Sequence, residues 1–185
     1  PEKCIACGQC QTHCHFNAIE AEPFFQIRHF ACEGCGVCSL VCPTNAVSMA
    51  PDRAGELALY RDKRRVFSTA KLNMGSGTSG KLVTEVKRQM VSAAANAEFA
   101  IIDGSPGIGC PVIASISGVS MVLIVAEPSL SGITDMERIL KTADTFRVKT
   151  AVCVNKADTN AAKTEEIFAF CRERKIPFTG TIPFD

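Results

Sequence analysis

The sequence predicts an α/β chain in two parts, a small α+β unit over residues 1–52 followed by a partial parallel α/β sheet over residues 53–185. Three observations carry this. Eight of the cysteines fall into two copies of one spacing pattern near the amino end. The composition changes at Pro51-Asp52-Arg53-Ala54-Gly55, which marks a boundary. Beyond it, short apolar runs that do not alternate with polar residues are separated by stretches of helical periodicity.

The first cysteine copy is Cys4, Cys7, Cys10 and Cys14, and the second is Cys32, Cys35, Cys38 and Cys42. Each reads C-x2-C-x2-C-x3-C, the bacterial ferredoxin run for [4Fe-4S] clusters. A constant step of 28 relates them: 32 − 4, 36 − 8, 42 − 14 and 45 − 17 all give 28, so Gly8 matches Gly36 and Asn17-Ala18-Ile19 matches Asn45-Ala46-Val47. Soft thiolates suit iron–sulfur chemistry. Three cysteines at x2 spacing wrap one cube, and the fourth points away to the other. The expected sets are therefore Cys4, Cys7, Cys10 and Cys42 on one cluster, and Cys32, Cys35, Cys38 and Cys14 on the second. Gly8, Gly34 and Gly36 let backbone N–H groups come near sulfur. A pair of zinc sites is the alternative, but zinc takes C-x2-C pairs rather than this duplicated run. The second run ends Cys42-Pro43 and the first Cys14-His15, a departure that leaves the ligands intact. Between the runs, Ile19 to Phe30 around Pro23 reads as short strands or a hairpin. Few large aliphatics are present, so the clusters supply much of the folding energy.

Composition bounds the rest. The 185 residues are 46% hydrophobic, enough for a packed core, and the net charge of +1 gives no case for nucleic acid or an acidic membrane surface. No run reaches the ~18 apolar residues of a membrane span. The C-x2-C spacing argues against a secreted disulfide framework, and with no signal peptide in view a cytoplasmic location is expected. The chain opens at Pro1 without a methionine, from which a missing native N-terminus is expected.

Past the boundary, Leu57 to Leu72 reads as two strands around the charged turn Arg61–Arg65, and Leu82 to Ala97 as a helix. Phe99-Ala100-Ile101-Ile102, Met121–Ala126 and Ala151–Val154 read as parallel strands buried on both faces, with helices near 133–146 and 161–174. Gly75–Lys81 fits G-x4-G-K, but Leu82 stands where a Ser or Thr would bind Mg2+, so a Gly/Ser turn with an anion-attracting helix start is the better reading. Asp103 sits at the C-terminal end of an expected buried strand, where ligands bind in α/β sheets. Asn155 ends a later strand, where its paired donor and acceptor could read a purine edge, and Asp158 or Thr159 qualifies as the next helix cap. Cys153 and Cys171 read as small core residues and Cys110 as a helix-start thiol.

The double ferredoxin run, followed by SGKLVTEV, IIDGSPGIGCPVIAS, LIVAEPSLSGITDMERIL, VNKAD and IPFD, resembles the MinD/ParA-type P-loop ATPases that carry an inserted two-cluster ferredoxin domain. The resemblance covers essentially the whole chain. It implies that Asp103 matches the Mg2+-linked switch aspartate, a catalytic position, with Pro106 and Gly107 in the switch turn. Asn155 then matches the base-recognition position, and Lys81 belongs to the stretch after the insert. Neither the first strand of that family nor its two-lysine Walker A loop is present. The resemblance thus implies an internal piece, with ATP and Mg2+ bound in the full-length parent.

The leading expectation is an iron–sulfur electron-transfer protein that couples nucleotide binding in the parent to redox chemistry or cluster transfer. Its partner is a redox protein or an apo-acceptor, and the same resemblance implies a homodimer around nucleotide in the full-length parent. The alternatives are a passive ferredoxin-type module without ATPase activity and an iron–sulfur cluster carrier.

Overall fold

The computed structural model describes residues 2–22 and 24–185; Pro1 and Pro23, the centre of the expected hairpin, lie outside the described residues. The chain divides into two compact units, Pro1–Leu82 and Val83–Asp185.

In the first unit the sequence repeat is also a structural one. Helices α1 (Gln9–Thr12) and α2 (Val37–Leu40) are 28 residues apart (37 − 9) and pack together. Each follows a glycine in the left-handed region, Gly8 at φ 75° and Gly36 at φ 79°. An L side chain is strained there, which explains glycine at both positions. The Gly8 carbonyl accepts from the Gln11 and Thr12 amides, as the Gly36 carbonyl does from Ser39 and Leu40. After α1 the expected hairpin forms: β1 (Ile19–Glu20) pairs antiparallel with β2 (Gln26–Ile27), Ile19 opposite Ile27. Among the described residues of this unit, the buried apolar ones are Ala18 and Ile19. So small a core accords with the expectation that a bound group contributes to folding.

The unit continues with the expected strand pair, β3 (Gly55–Arg61) and β4 (Val66–Leu72), antiparallel from Gly55↔Leu72 to Arg61↔Val66. Asp62 organises the charged turn, its carboxylate accepting from the Arg64 and Arg65 amides at 2.7 and 2.8 Å. These amide donors hold its carboxyl below the usual carboxylate range. The Gly75–Thr78 loop then leads into helix α3 (Ser79–Ala93).

The second unit is built on a parallel sheet of order β5-β6-β7: Met121–Ala126, Lys149–Asn155 and Phe178–Ile182. The greater part of α3, from Val83 on, and helices α4 (Cys110–Ile116), α5 (Leu130–Thr145) and α6 (Ala161–Glu173) complete it. Ile124, Ile133, Met136, Val152, Val154 and Ile167 form the main core, joined by buried Cys171, with Cys153 also buried. Both cysteines are core residues as expected, and burial pushes the Cys171 thiol up.

Three expectations are corrected. Phe99–Ile102 is not a strand: Phe99 and Ile101 are 79% and 80% exposed, and the run has no ladder partner. A strand exists only by pairing, so an apolar run without a neighbour stays irregular. Asp103 therefore does not end a buried strand. Second, β5 is buried on one face only: α5 packs against it, while Met121, Leu123 and Val125 on the other face are exposed; central β6 is buried on both faces at 151–154. Third, the cap of α6 is Asn160, whose side chain accepts from the Lys163 amide at 3.1 Å, rather than Asp158 or Thr159. Asp158 instead accepts from the Phe184 amide at 2.7 Å, tying down the last residues.

Candidate metal centre

The duplicated backbone presents the eight thiols in matching ways. Cys4 and Cys7 lie on the loop before α1, Cys10 is in α1, and Cys14 follows it. Cys32, Cys35, Cys38 and Cys42 repeat that layout around α2. Beyond each helix the chain reverses through an asparagine in the left-handed region, Asn17 at φ 49° and Asn45 at φ 51°. The reversal turns the next amide back onto the preceding sulfur. Ala18 N–H donates to Cys14 Sγ at 3.3 Å, and Ala46 N–H donates to Cys42 Sγ at 3.2 Å. Even the side-chain brace repeats: Gln11 Nε2 donates to the Ile19 carbonyl and, 28 residues on, Ser39 Oγ donates to the Val47 carbonyl, each at 3.0 Å.

Hydrogen bonds to sulfur favour the thiolate. The Ala46 amide, helped by the Thr44 amide, lowers the Cys42 pKa to about 7. Cys38 shifts the other way, raised by burial. A cavity of about 460 Å³ opens in this unit and is lined by Cys14 together with Cys32, Cys35 and Cys38; Cys4, Cys7, Cys10 and Cys42 are not on its wall. Among the described residues, no three Cys, His, Asp or Glu groups close on a point as ligands of a single ion would. A four-iron cube takes one thiolate at each iron, so its ligands are spread around it. Four soft thiols per set, with amides aimed at sulfur, are a donor chemistry that fits such a cluster.

The nucleotide-type residues are placed differently. Lys81 is exposed in the first turn of α3. Asp103 and Pro106 are exposed and Gly107 half-buried on an irregular stretch before α4. Asn155 ends β6, where its Oδ1 accepts from the Lys156 amide at 3.0 Å, and Lys156 Nζ pairs with Glu127 at 2.7 Å. Cys110 starts α4 and is exposed.

Sequence reasoning missed the Ala18 and Ala46 amides as sulfur donors. Their signal was the Asn-Ala pair repeated three residues after each fourth cysteine, which pointed to a function only once the turn was seen.

Residues 3–46 match the family of the 4Fe-4S dicluster domain, and the N-terminal part of the chain is a ferredoxin-type iron–sulfur domain. The match ends at residue 46, and no comparison supports the expected kinship of the rest of the chain with MinD/ParA-type ATPases. An uncharacterized protein of Methanocaldococcus jannaschii is 35% identical over 183 residues, 98% of this chain and 62% of its own length. A second uncharacterized protein of that organism is 29% identical over 115 residues, 62% of this chain and 38% of its own. The chain thus spans less than two thirds of the length of either relative. No solved structure matches it. No helix among the described residues is long and apolar enough to cross a membrane.

Proposed function

We propose that the first unit holds two [4Fe-4S] clusters and that the protein passes single electrons between partner proteins. The observation that carries this is the junction of the two halves: Cys14 of the first run lines one cavity with Cys32, Cys35 and Cys38 of the second. Such sharing is what a two-cluster ferredoxin requires of its fourth cysteine. Each cluster supplies a one-electron couple. The chain's own part is to fix the thiolates and direct the Ala18 and Ala46 amides at sulfur.

Anaerobic loading with iron and sulfide tests the reading. Material holding about eight irons per chain, reduced in one-electron steps, supports it. Zinc or cystines in place of iron refute it.

The finer reading, in which ATP binding in the full-length parent gates the transfer, draws support from the parallel sheet of the second unit, with Asn155 at the C-terminal edge of β6. Nucleotide binding by the full-length parent, weakened by Asn155→Ala, is the expected result. Its absence removes the ATP coupling and leaves a passive electron-transfer module. Rapid passage of clusters to an apo-acceptor would instead favour cluster delivery.

A further inference from the structure

We propose that the Gly75-Ser76-Gly77-Thr78 loop covers one of the two cluster sites only and, with Glu33, holds that cluster at a lower reduction potential than the other. The inference rests on the two-cluster reading above.

The loop lies flat against the segment that carries the second cysteine run. A Cβ at Gly75 would meet Phe30 Cδ1 at 2.7 Å and Phe30 Cα at 3.3 Å, and φ there is +79°. At Gly77 a Cβ would fall 1.7 Å from Glu33 Oε2. Both glycines thus admit a close approach to residues 30–33, an approach any side chain would prevent. Both ends of the loop are anchored. Asn73 N–H donates to the Ala54 carbonyl at 2.8 Å and Asn73 Nδ2 donates to the Arg53 carbonyl; at the other end the Leu82 amide donates to Thr78 as α3 begins. The loop lines the same cavity as Cys14, Cys32, Cys35 and Cys38.

This breaks the symmetry of the repeat. The counterpart of Glu33 in the first run is Ile5 (33 − 28 = 5), so one cysteine loop carries a carboxylate where the other carries an apolar side chain. A cluster held by four thiolates is anionic, and one-electron reduction adds a further negative charge. A neighbouring carboxylate and exclusion of water both disfavour that added charge, which lowers the potential. Among the described residues, Glu33 and the loop line the cavity with Cys14, Cys32, Cys35 and Cys38, and none of the other four cluster cysteines is on that wall.

The test is a redox titration of the fully loaded chain at low ionic strength, where surface charge is least screened, followed by electron paramagnetic resonance. The wild type is expected to show two separate midpoints. Glu33→Gln should raise the lower one by about tenfold in the reduced-to-oxidised ratio, about 59 mV for one electron, and leave the upper in place. Gly75→Val, which lifts the loop, should raise the same midpoint and speed removal of about half the iron by a chelator. Where that variant loses its fold, Gly77→Ala displaces only the flexible Glu33 carboxylate and should give a smaller rise. Ile5→Glu should lower the upper midpoint. About eight irons with coincident midpoints, or a Glu33→Gln shift that is absent, downward or shared by both clusters, overturns this inference alone. Failure of the wild type to load those irons overturns the two-cluster reading instead.

Discussion

The Ala46 amide donates to Cys42 Sγ at 3.2 Å, and the left-handed turn at Asn45 is what aims it. Asparagine tolerates that conformation, whereas a β-branched residue does not. Asn45→Val should therefore cost about 1–2 kcal/mol and loosen the turn, while Asn45→Gly should be near neutral. The readout is the temperature at which cluster absorbance is lost. Valine and glycine variants losing it together with the wild type would show that the turn is unimportant to the site.

At the β3–β4 turn, two amides hold the Asp62 carboxyl below its ordinary range. A carboxyl depressed in the folded state stabilises the turn at pH values above its unfolded value, about 3.9, and that contribution is lost as the pH falls through the lower folded value. Carbon-13 shifts of the Asp62 carboxyl should titrate below 3.9. A midpoint at or above that value contradicts the turn geometry. At neutral pH, Asp62→Ala should quicken hydrogen exchange of the Arg64 and Arg65 amides.

In the second unit, Lys87 Nζ donates to the Ala114 and Ser115 carbonyls at 2.8 and 3.2 Å and to the Ser117 carbonyl at 2.5 Å, all at the C-terminal end of α4. These carbonyls lack partners within their helix, and a cation there also suits the helix dipole. Lys87→Met keeps the aliphatic stem and removes the donors. It should destabilise the second unit by about 1–3 kcal/mol. Hydrogen exchange should quicken first in α4; an unchanged α4 would mean that water replaces the lysine at no cost.

The cysteine unit was legible because its signal is spacing, and spacing survives translation into structure: the 28-residue step reappears in Gly8 and Gly36, in Asn17 and Asn45, and in both sulfur-directed amides. The parallel strands 121–126 and 149–155 were legible because their apolar runs are long and their partners are at hand. Phe99–Ile102 carries as strong an apolar pattern, yet pairing is non-local and no run of residues announces whether a neighbour exists. The 3-10 turn at Ala157–Thr159 moved the α6 cap to Asn160 for a related reason, since boundaries depend on how the chain leaves the sheet. Lys87 was invisible because its acceptors lie about thirty residues away and any surface lysine looks alike in sequence.

The crosswise ligand sets can be read out by pairing substitutions. If Cys42 belongs with Cys4, Cys7 and Cys10, then Cys7→Ala with Cys42→Ala places both defects in one cluster. That double variant should keep about four irons and a single redox-active centre. Cys35→Ala with Cys42→Ala instead puts one defect in each cluster and should compromise both. Local sets reverse the outcome, because Cys35 and Cys42 would then share a cluster and Cys7 and Cys42 would not. The cavity wall, where Cys14 meets Cys32, Cys35 and Cys38, favours the crossed result. Stability gives a second readout. With only Ala18 and Ile19 as buried apolar residues among those described in the first unit, that unit should keep its fold while one cluster remains and lose it when both are damaged. Four irons retained by the Cys35/Cys42 pair, and few by Cys7/Cys42, would reject the crossed assignment while leaving two clusters in place.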